Sequence, residues 1–258
     1  MSKAQRIESI GHKRVKVGSL QADVYALLAN FSTLMNFLLG AIVSLGIILN
    51  HPLQRYWAMR CIMLGASFDA IDGRLARRSH TKPKLGAQFD TAGDLSTFGL
   101  APALLIFDRV GHFNANFALL LAAFYLYGAW FRLSRFMLTP TYGYFNGMAS
   151  PVAATFVAAW YVQANADIVL FCGSMALIST VMIVSLPYTA MKVVDTIFQK
   201  ANFVFTICLM LLLTYSPNDW MEFLAKIWII NVLYYTIFGP YFTRRSFKLN
   251  KAQNATAS

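Results

Sequence analysis

Asp69, Asp72, Asp90 and Asp94 stand within residues 68–94, reading FDAIDGRLARRSHTKPKLGAQFDTAGD. The chain has 11 acidic residues among 258, so over a third of them fall in a tenth of its length. Asp69 and Asp72 are spaced i, i+3, and Asp90 and Asp94 i, i+4, so each pair occupies one face of its own helix. The link between them, RRSHTKPK, is short and basic, and Pro83 breaks helix continuity. A helix hairpin of this kind brings the two acidic faces together. An ionised carboxylate inside a membrane costs about 2.5–3.5 kcal/mol at mid-bilayer and less near the interface. Protons, basic partners or bound cations must therefore compensate. Carboxylate oxygens are hard ligands suited to Mg²⁺, Mn²⁺ or Ca²⁺. Two such ions about 3.5–4 Å apart can clamp phosphate groups.

The elements that must position these acids are membrane helices. The chain is 57% hydrophobic and 13% charged, with mean hydropathy +0.52; a soluble domain carries about 25% charged residues. Eight spans are expected, over 24–49, 56–75, 88–107, 114–131, 149–164, 167–187, 202–216 and 222–241. The apolar segment after the basic N-terminus is too long for a cleaved signal and is expected to stay as the first span. With the N-terminus inside, 18 of the 22 Lys and Arg fall on the inner side, leaving Arg55, Arg60, Arg109 and Lys226 outside. That bias orients a multi-pass protein with both ends and the acids on the cytoplasmic side, which is the inner membrane in a bacterium. It accounts for the net charge of +11 through orientation and lipid headgroups, with no nucleic-acid partner. Cys61, Cys172 and Cys208 lie singly in spans, without zinc or disulfide spacing.

Gly73 follows Asp72, and Gly86 precedes Asp90 by four. A glycine in a membrane helix lets another group approach the backbone, whether a neighbouring helix or a ligand. Ala76 is small and on the Gly73 side. Arg77 offers a bidentate fork to phosphate, or serves as an ion-pair partner or membrane anchor.

Together these residues form D-x2-D-G-x2-A-R-x8-G-x3-D-x3-D, with every position filled by Asp69, Asp72, Gly73, Ala76, Arg77, Gly86, Asp90 and Asp94. This resembles the signature of the CDP-alcohol phosphotransferase family, integral-membrane enzymes of phospholipid synthesis. The resemblance implies an all-α integral membrane fold: a six-helix core over 21–190, after a basic cytoplasmic segment 1–20. Two additional helices over 191–245 and a cytoplasmic tail 246–258 lie beyond it. It implies that Asp69, Asp72, Asp90 and Asp94 hold two divalent ions, Mg²⁺ or Mn²⁺, with Asp94 also the general base. It implies contacts to the CDP-lipid from Asp69, Gly73, Ala76, Arg77, Gly86 and Asn36. Asn36 belongs with Asn30, Thr33 and Gly40 to a first-span pattern that matches the family's, without its proline. The family also implies a homodimer.

Three further stretches resemble the serine-transferring branch: LSTFGLAPALLIF (95–107), FRLSRFM with GYFNGMASPVAA (131–154), and MIVSLPYTAMK (182–192). Met137, Thr189, Ala190 and Met191 depart from that branch. The implied reaction transfers the phosphatidyl group from CDP-diacylglycerol to the hydroxyl of L-serine, releasing CMP. An amino-acid acceptor has a carboxylate that needs a cation, and Arg132, Arg135 and Lys192 are the inner-side candidates, with Ser185 and Tyr188 completing the acceptor set. The alternatives are another acceptor (glycerol phosphate, inositol or choline), an archaeal ether-lipid donor, or a divalent-cation transporter. A transporter would spread its acids over several spans near mid-bilayer.

Overall fold

The first helix is patterned inside out. Ala26, Ala29, Thr33, Asn36, Gly40 and Val43 recur every three to four residues and are buried, while Phe31 (56% exposed), Leu38, Ile42 and Leu45 face outward. In water that outer face would be an aggregation surface. In lipid it is at no disadvantage, and small residues mark the side where helices meet.

The computed structural model describes residues 14–17, 20–49, 55–78, 84–138, 144–189 and 197–256. Lys192 lies outside them. Among the described residues eight helical segments follow in order: α1 (Val24–Ile48), α2 (Arg55–Arg78), α3 (84–111), α4 (Ala115–Leu138), α5 (Ser150–Val162), α6 (Ile168–Ile183), α7 (Ile197–Tyr215) and α8 (Asn218–Thr256). They coincide with the eight expected apolar segments, and the chain is an all-α membrane protein. The described strands are two short antiparallel pairs. β1 (Arg14–Val17) pairs with β2 (Leu20–Asp23), and β3 (Tyr144–Asn146) with β4 (Pro187–Thr189).

By length and composition α1, α4 and the 218–243 part of α8 are long and apolar enough to cross a membrane. α5, α6 and residues 201–215 are apolar but shorter. α2 and the start of α3 fall outside both groups because they carry the aspartates and their basic link.

α3 is continuous but not uniform. Its α-helical part Lys84–Asp94 passes into a π-helical stretch Leu95–Leu100, then returns to α-helix over Ala101–Gly111, with Pro102 in the first turn of the return. A π-helical turn widens the helix locally and is frequent at functional sites. Pro102 has no N–H for the carbonyl of Phe98, which an α-helical register would bond to it. The buried Tyr125 of α4 donates its hydroxyl to that oxygen at 3.0 Å.

α1 packs along α2, α3 crosses α1, and α4 packs on α3 and α6. The last two helices are built into this core. α7 lies on α2, and α8 on α5 and β4. α6 begins with Asp167 as its cap, its carboxylate accepting from the Leu170 amide at 2.9 Å.

Candidate metal centre and its surroundings

α2 carries Asp69 and Asp72 in its C-terminal half, and α3 carries Asp90 and Asp94 in its N-terminal half. The hairpin turns these pairs onto each other: one carboxylate oxygen each from Asp69, Asp72 and Asp90 lies within 4.8 Å of the other two. A cation with oxygen ligands at 2.0–2.6 Å holds neighbouring oxygens about 3–5 Å apart, so the trio matches one ion's ligand shell. Asp90 Oδ1 is buried with no hydrogen-bond partner. A buried, unpartnered carboxylate oxygen pointing into a cluster of like charge is costly unless something positive meets it. The donors are hard oxygens, and they fit a divalent ion.

Asp94 sits beside this trio, next to Asp69. α1 supports the site from the other flank. Thr33 donates its hydroxyl to Asp72 Oδ2 at 3.1 Å, and the Asn36 amide nitrogen donates to Asp94 Oδ1 at 3.3 Å. Thr97, in the π-helical stretch, donates to the Asn36 backbone oxygen at 2.5 Å. That contact requires close helix approach. A Cβ on Gly40 would fall 2.6 Å from the Thr97 amide nitrogen, and one on Gly65 2.6 Å from the Thr97 methyl.

Arg132 of α4 is buried, at 8% exposure, and interacts electrostatically with Asp94 and Asp69. Its Nη1 donates to Ser150 Oγ at 3.3 Å, and its guanidinium lies 5.6 Å from the Phe136 ring centre. One guanidinium cannot balance four carboxylates, and protons or cations must supply the remainder.

The other residues expected at the acceptor end lie differently. Arg135 donates to the carbonyls of Ile183, Met182 and Asn146 and to Ser185 Oγ, so Arg135 and Ser185 meet each other at the α6 terminus. Gly147, at φ +81°, lies against this arginine, where a side chain would meet its guanidinium. Tyr188 is fully buried, with its ring on Tyr235 and its hydroxyl donating to Thr236 O at 3.0 Å. Gly73 is half-buried beside Asp72, and Ala76 is exposed. Arg77 and Gly86 lie on described helical backbone, but their side-chain surroundings are outside the described residues.

The CDP-alcohol phosphatidyltransferase family model matches residues 26–145, the stretch that contains all four aspartates and their α1 support. A Bacillus subtilis CDP-diacylglycerol–serine O-phosphatidyltransferase is 30% identical over 125 residues, 47% of this chain and 67% of that protein. The chain belongs to the CDP-alcohol phosphatidyltransferase family. Two further relatives share the serine transferase name. One, from Helicobacter pylori J99, is 30% identical over 150 residues, 53% of this chain and 62% of its own length. The other, from Methanocaldococcus jannaschii, is 32% identical over 127 residues, 49% of this chain and 56% of its own. The chain thus spans about three-fifths of the length of these two relatives.

Within this family member, the sequence signature located the acids but not all that holds them. Thr97 and Gly65 were missed. The only signal for either was a small or hydroxyl residue at the right height on a neighbouring helix.

Proposed function

We propose that the protein transfers a phosphatidyl group from CDP-diacylglycerol to L-serine, giving phosphatidylserine and CMP. The observation that carries this reading is the convergence of Asp69, Asp72 and Asp90 from two helices, with Asp94 alongside and held by Asn36. Family membership and the serine transferase names of the relatives support the donor and acceptor.

Asp69, Asp72 and Asp90, with Asp94 at their edge, would hold Mg²⁺ or Mn²⁺, whose charge offsets that of the donor's diphosphate. The serine hydroxyl oxygen attacks the phosphorus on the lipid side. A new P–O bond forms, the bond from that phosphorus to the bridging oxygen breaks, and CMP leaves with that oxygen. The hydroxyl proton passes to Asp94 Oδ. Asn36 fixes that carboxylate, leaving one oxygen to receive the proton. Arg132, buried beside Asp94 and Asp69, offers the serine carboxylate its charge. Gly73, Ala76 and Arg77 of α2 and Gly86 of α3 would contact the CDP moiety.

We place the site on the cytoplasmic side of a multi-pass protein that acts as a homodimer, with 21–190 as the catalytic unit braced by α7 and α8. The lopsided lysine and arginine distribution supports that orientation.

The test is CMP release from CDP-diacylglycerol by purified protein with Mg²⁺ or Mn²⁺, offered serine, inositol, glycerol 3-phosphate or choline. Release with serine, and labelled lipid from labelled serine, is expected. Release only with another alcohol overturns the acceptor, and release with none overturns the reaction.

A further inference from the structure

The opposite end of the same two helices carries a second polar site that the reaction does not use. Arg55 opens α2, 14 residues before Asp69, and Arg109 closes α3, 15 residues after Asp94. At 1.5 Å per residue both lie about 21–23 Å along the helix axes from the acids. There a cavity of about 270 Å³ is lined by Arg55, Asp108, Arg109, His112, Phe113 and Tyr161, among others.

Its charges are not used up internally. Asp108 is engaged by Tyr161, whose hydroxyl donates to Oδ2 at 2.6 Å. Arg109 donates from Nη2 to the carbonyls of Ala166 at 3.2 Å and Ala164 at 3.4 Å, and lies over the Phe171 ring at 5.1 Å. These contacts fix the guanidinium plane. Arg109 Nε is buried without a hydrogen-bond partner. Among the described residues neither Arg55 nor Arg109 makes an ion pair with a carboxylate. Two guanidinium groups against one carboxylate leave the lining net positive. A fixed arginine beside a second, exposed arginine matches a phosphate oxyanion.

We infer that this cavity binds the phosphate group of a phospholipid from the leaflet opposite the acids. The phosphodiester oxygens would take the exposed Arg55 guanidinium, with the fixed Arg109 charge beside it. The glycerol and upper acyl chain would lie on Phe113, which is 72% exposed, and on Ile168, the apolar part of the lining. Free inorganic phosphate shares the head chemistry but gains nothing from that apolar wall.

The test uses the full chain in detergent. Retention of added phosphatidylglycerol is read by native mass spectrometry, with diacylglycerol as the phosphate-free arm and inorganic phosphate as competitor. Arg55 is exposed and has no hydrogen bond among the described residues, so Arg55→Gln leaves the fold intact. It is expected to cut retained phosphatidylglycerol about tenfold, the scale of one lost charge-assisted hydrogen bond. Arg109→Gln is expected to cut it further. Arg60→Gln, whose arginine donates instead to Ser216 O and Asn218 Oδ1, is expected to retain it. CMP release and melting temperature should be unchanged in Arg55→Gln. Equal retention in wild type and Arg55→Gln, or equal retention of diacylglycerol, overturns the site. Full displacement by millimolar inorganic phosphate overturns the lipid as its occupant.

Discussion

Tyr188 supplies to α8 the hydrogen bond that Pro240 withholds. Pro240 has no N–H for the carbonyl of Thr236 four residues before it, and the Tyr188 hydroxyl donates to that oxygen at 3.0 Å. Tyr125 meets the Phe98 carbonyl, four residues before Pro102, in the same way. In each case a proline opens a buried helix and a tyrosine from another element closes it. Tyr188→Phe and Tyr125→Phe each remove a buried hydrogen bond and are expected to cost about 0.5–1.5 kcal/mol each. Unfolding in mild detergent measures this. Tyr188→Phe should leave the KM for serine unchanged. A raised KM at unchanged stability would instead assign Tyr188 to the acceptor pocket.

The seating of α3 on α1 and α2 depends on two glycines, Gly40 of α1 and Gly65 of α2. A Cβ at Gly40 would meet Thr97 backbone, which cannot turn aside as a flexible side-chain end can. Gly40→Ala is therefore expected to push α3 off α1, weaken the Thr97–Asn36 bond, and destabilise the protein by about 1–3 kcal/mol, the usual cost of overpacking. CMP release should fall as well, because Asn36 holds Asp94. At Gly65 the nearest atom is the Thr97 methyl. Gly65→Ala combined with Thr97→Ser removes that methyl and should recover stability that Gly65→Ala alone loses. Melting curves of the four proteins decide it.

Helix existence was legible in the sequence because lipid demands continuous apolar runs, and all eight runs are helical. The convergence of the acids was legible because i, i+3 and i, i+4 spacing on a tight hairpin leaves them little choice. What was not legible depends on relations between distant segments. Nothing local to LSTFGL announces a π-helical stretch. Tyr188, read as an acceptor or interfacial residue, pairs in β4 with Phe145 and bonds to α8, a partner 48 residues further along the chain. The last span, expected over 222–241, continues as helix to Thr256, beyond its apolar part. Arg132 and Arg135 looked alike in sequence, one turn apart. One is buried beside the acids, and the other is bound to carbonyls at the end of α6.

That difference between the two arginines is measurable. Removing the Arg132 charge leaves Asp69 and Asp94 without their buried counter-ion, a loss that costs about 3–5 kcal/mol when a buried pair is broken. Arg132→Met is expected to abolish serine-dependent CMP release and lower the melting temperature. Arg132→Lys keeps the charge and should retain part of both. Arg135→Met removes donors from three carbonyls and should destabilise the protein with a smaller change in the KM for serine. If Arg132→Met leaves the KM for serine and the stability as they were, Arg132 is not the counter-ion of this site.

On the proposed reaction the acids take two roles. Asp90 has an unpartnered buried oxygen in the close trio, whereas Asp94 Oδ1 is taken by Asn36. Asp90→Asn should therefore weaken metal dependence. The Mg²⁺ or Mn²⁺ concentration for half-maximal CMP release should rise by more than about 10–100-fold, the range for losing a group that only supports a ligand. Chelation with EDTA should abolish release from the wild type, and added metal should restore it. Asp94→Asn keeps the shape of the site but cannot accept the serine proton. Its kcat should fall by about 10²–10⁴, the usual contribution of a general base, while CDP-diacylglycerol binding and the metal requirement for that binding remain. Binding of CDP-diacylglycerol to Asp94→Asn, measured with and without metal, distinguishes the two roles. If Asp94→Asn loses metal-dependent binding as fully as Asp90→Asn does, Asp94 acts as a ligand and another group must take the proton.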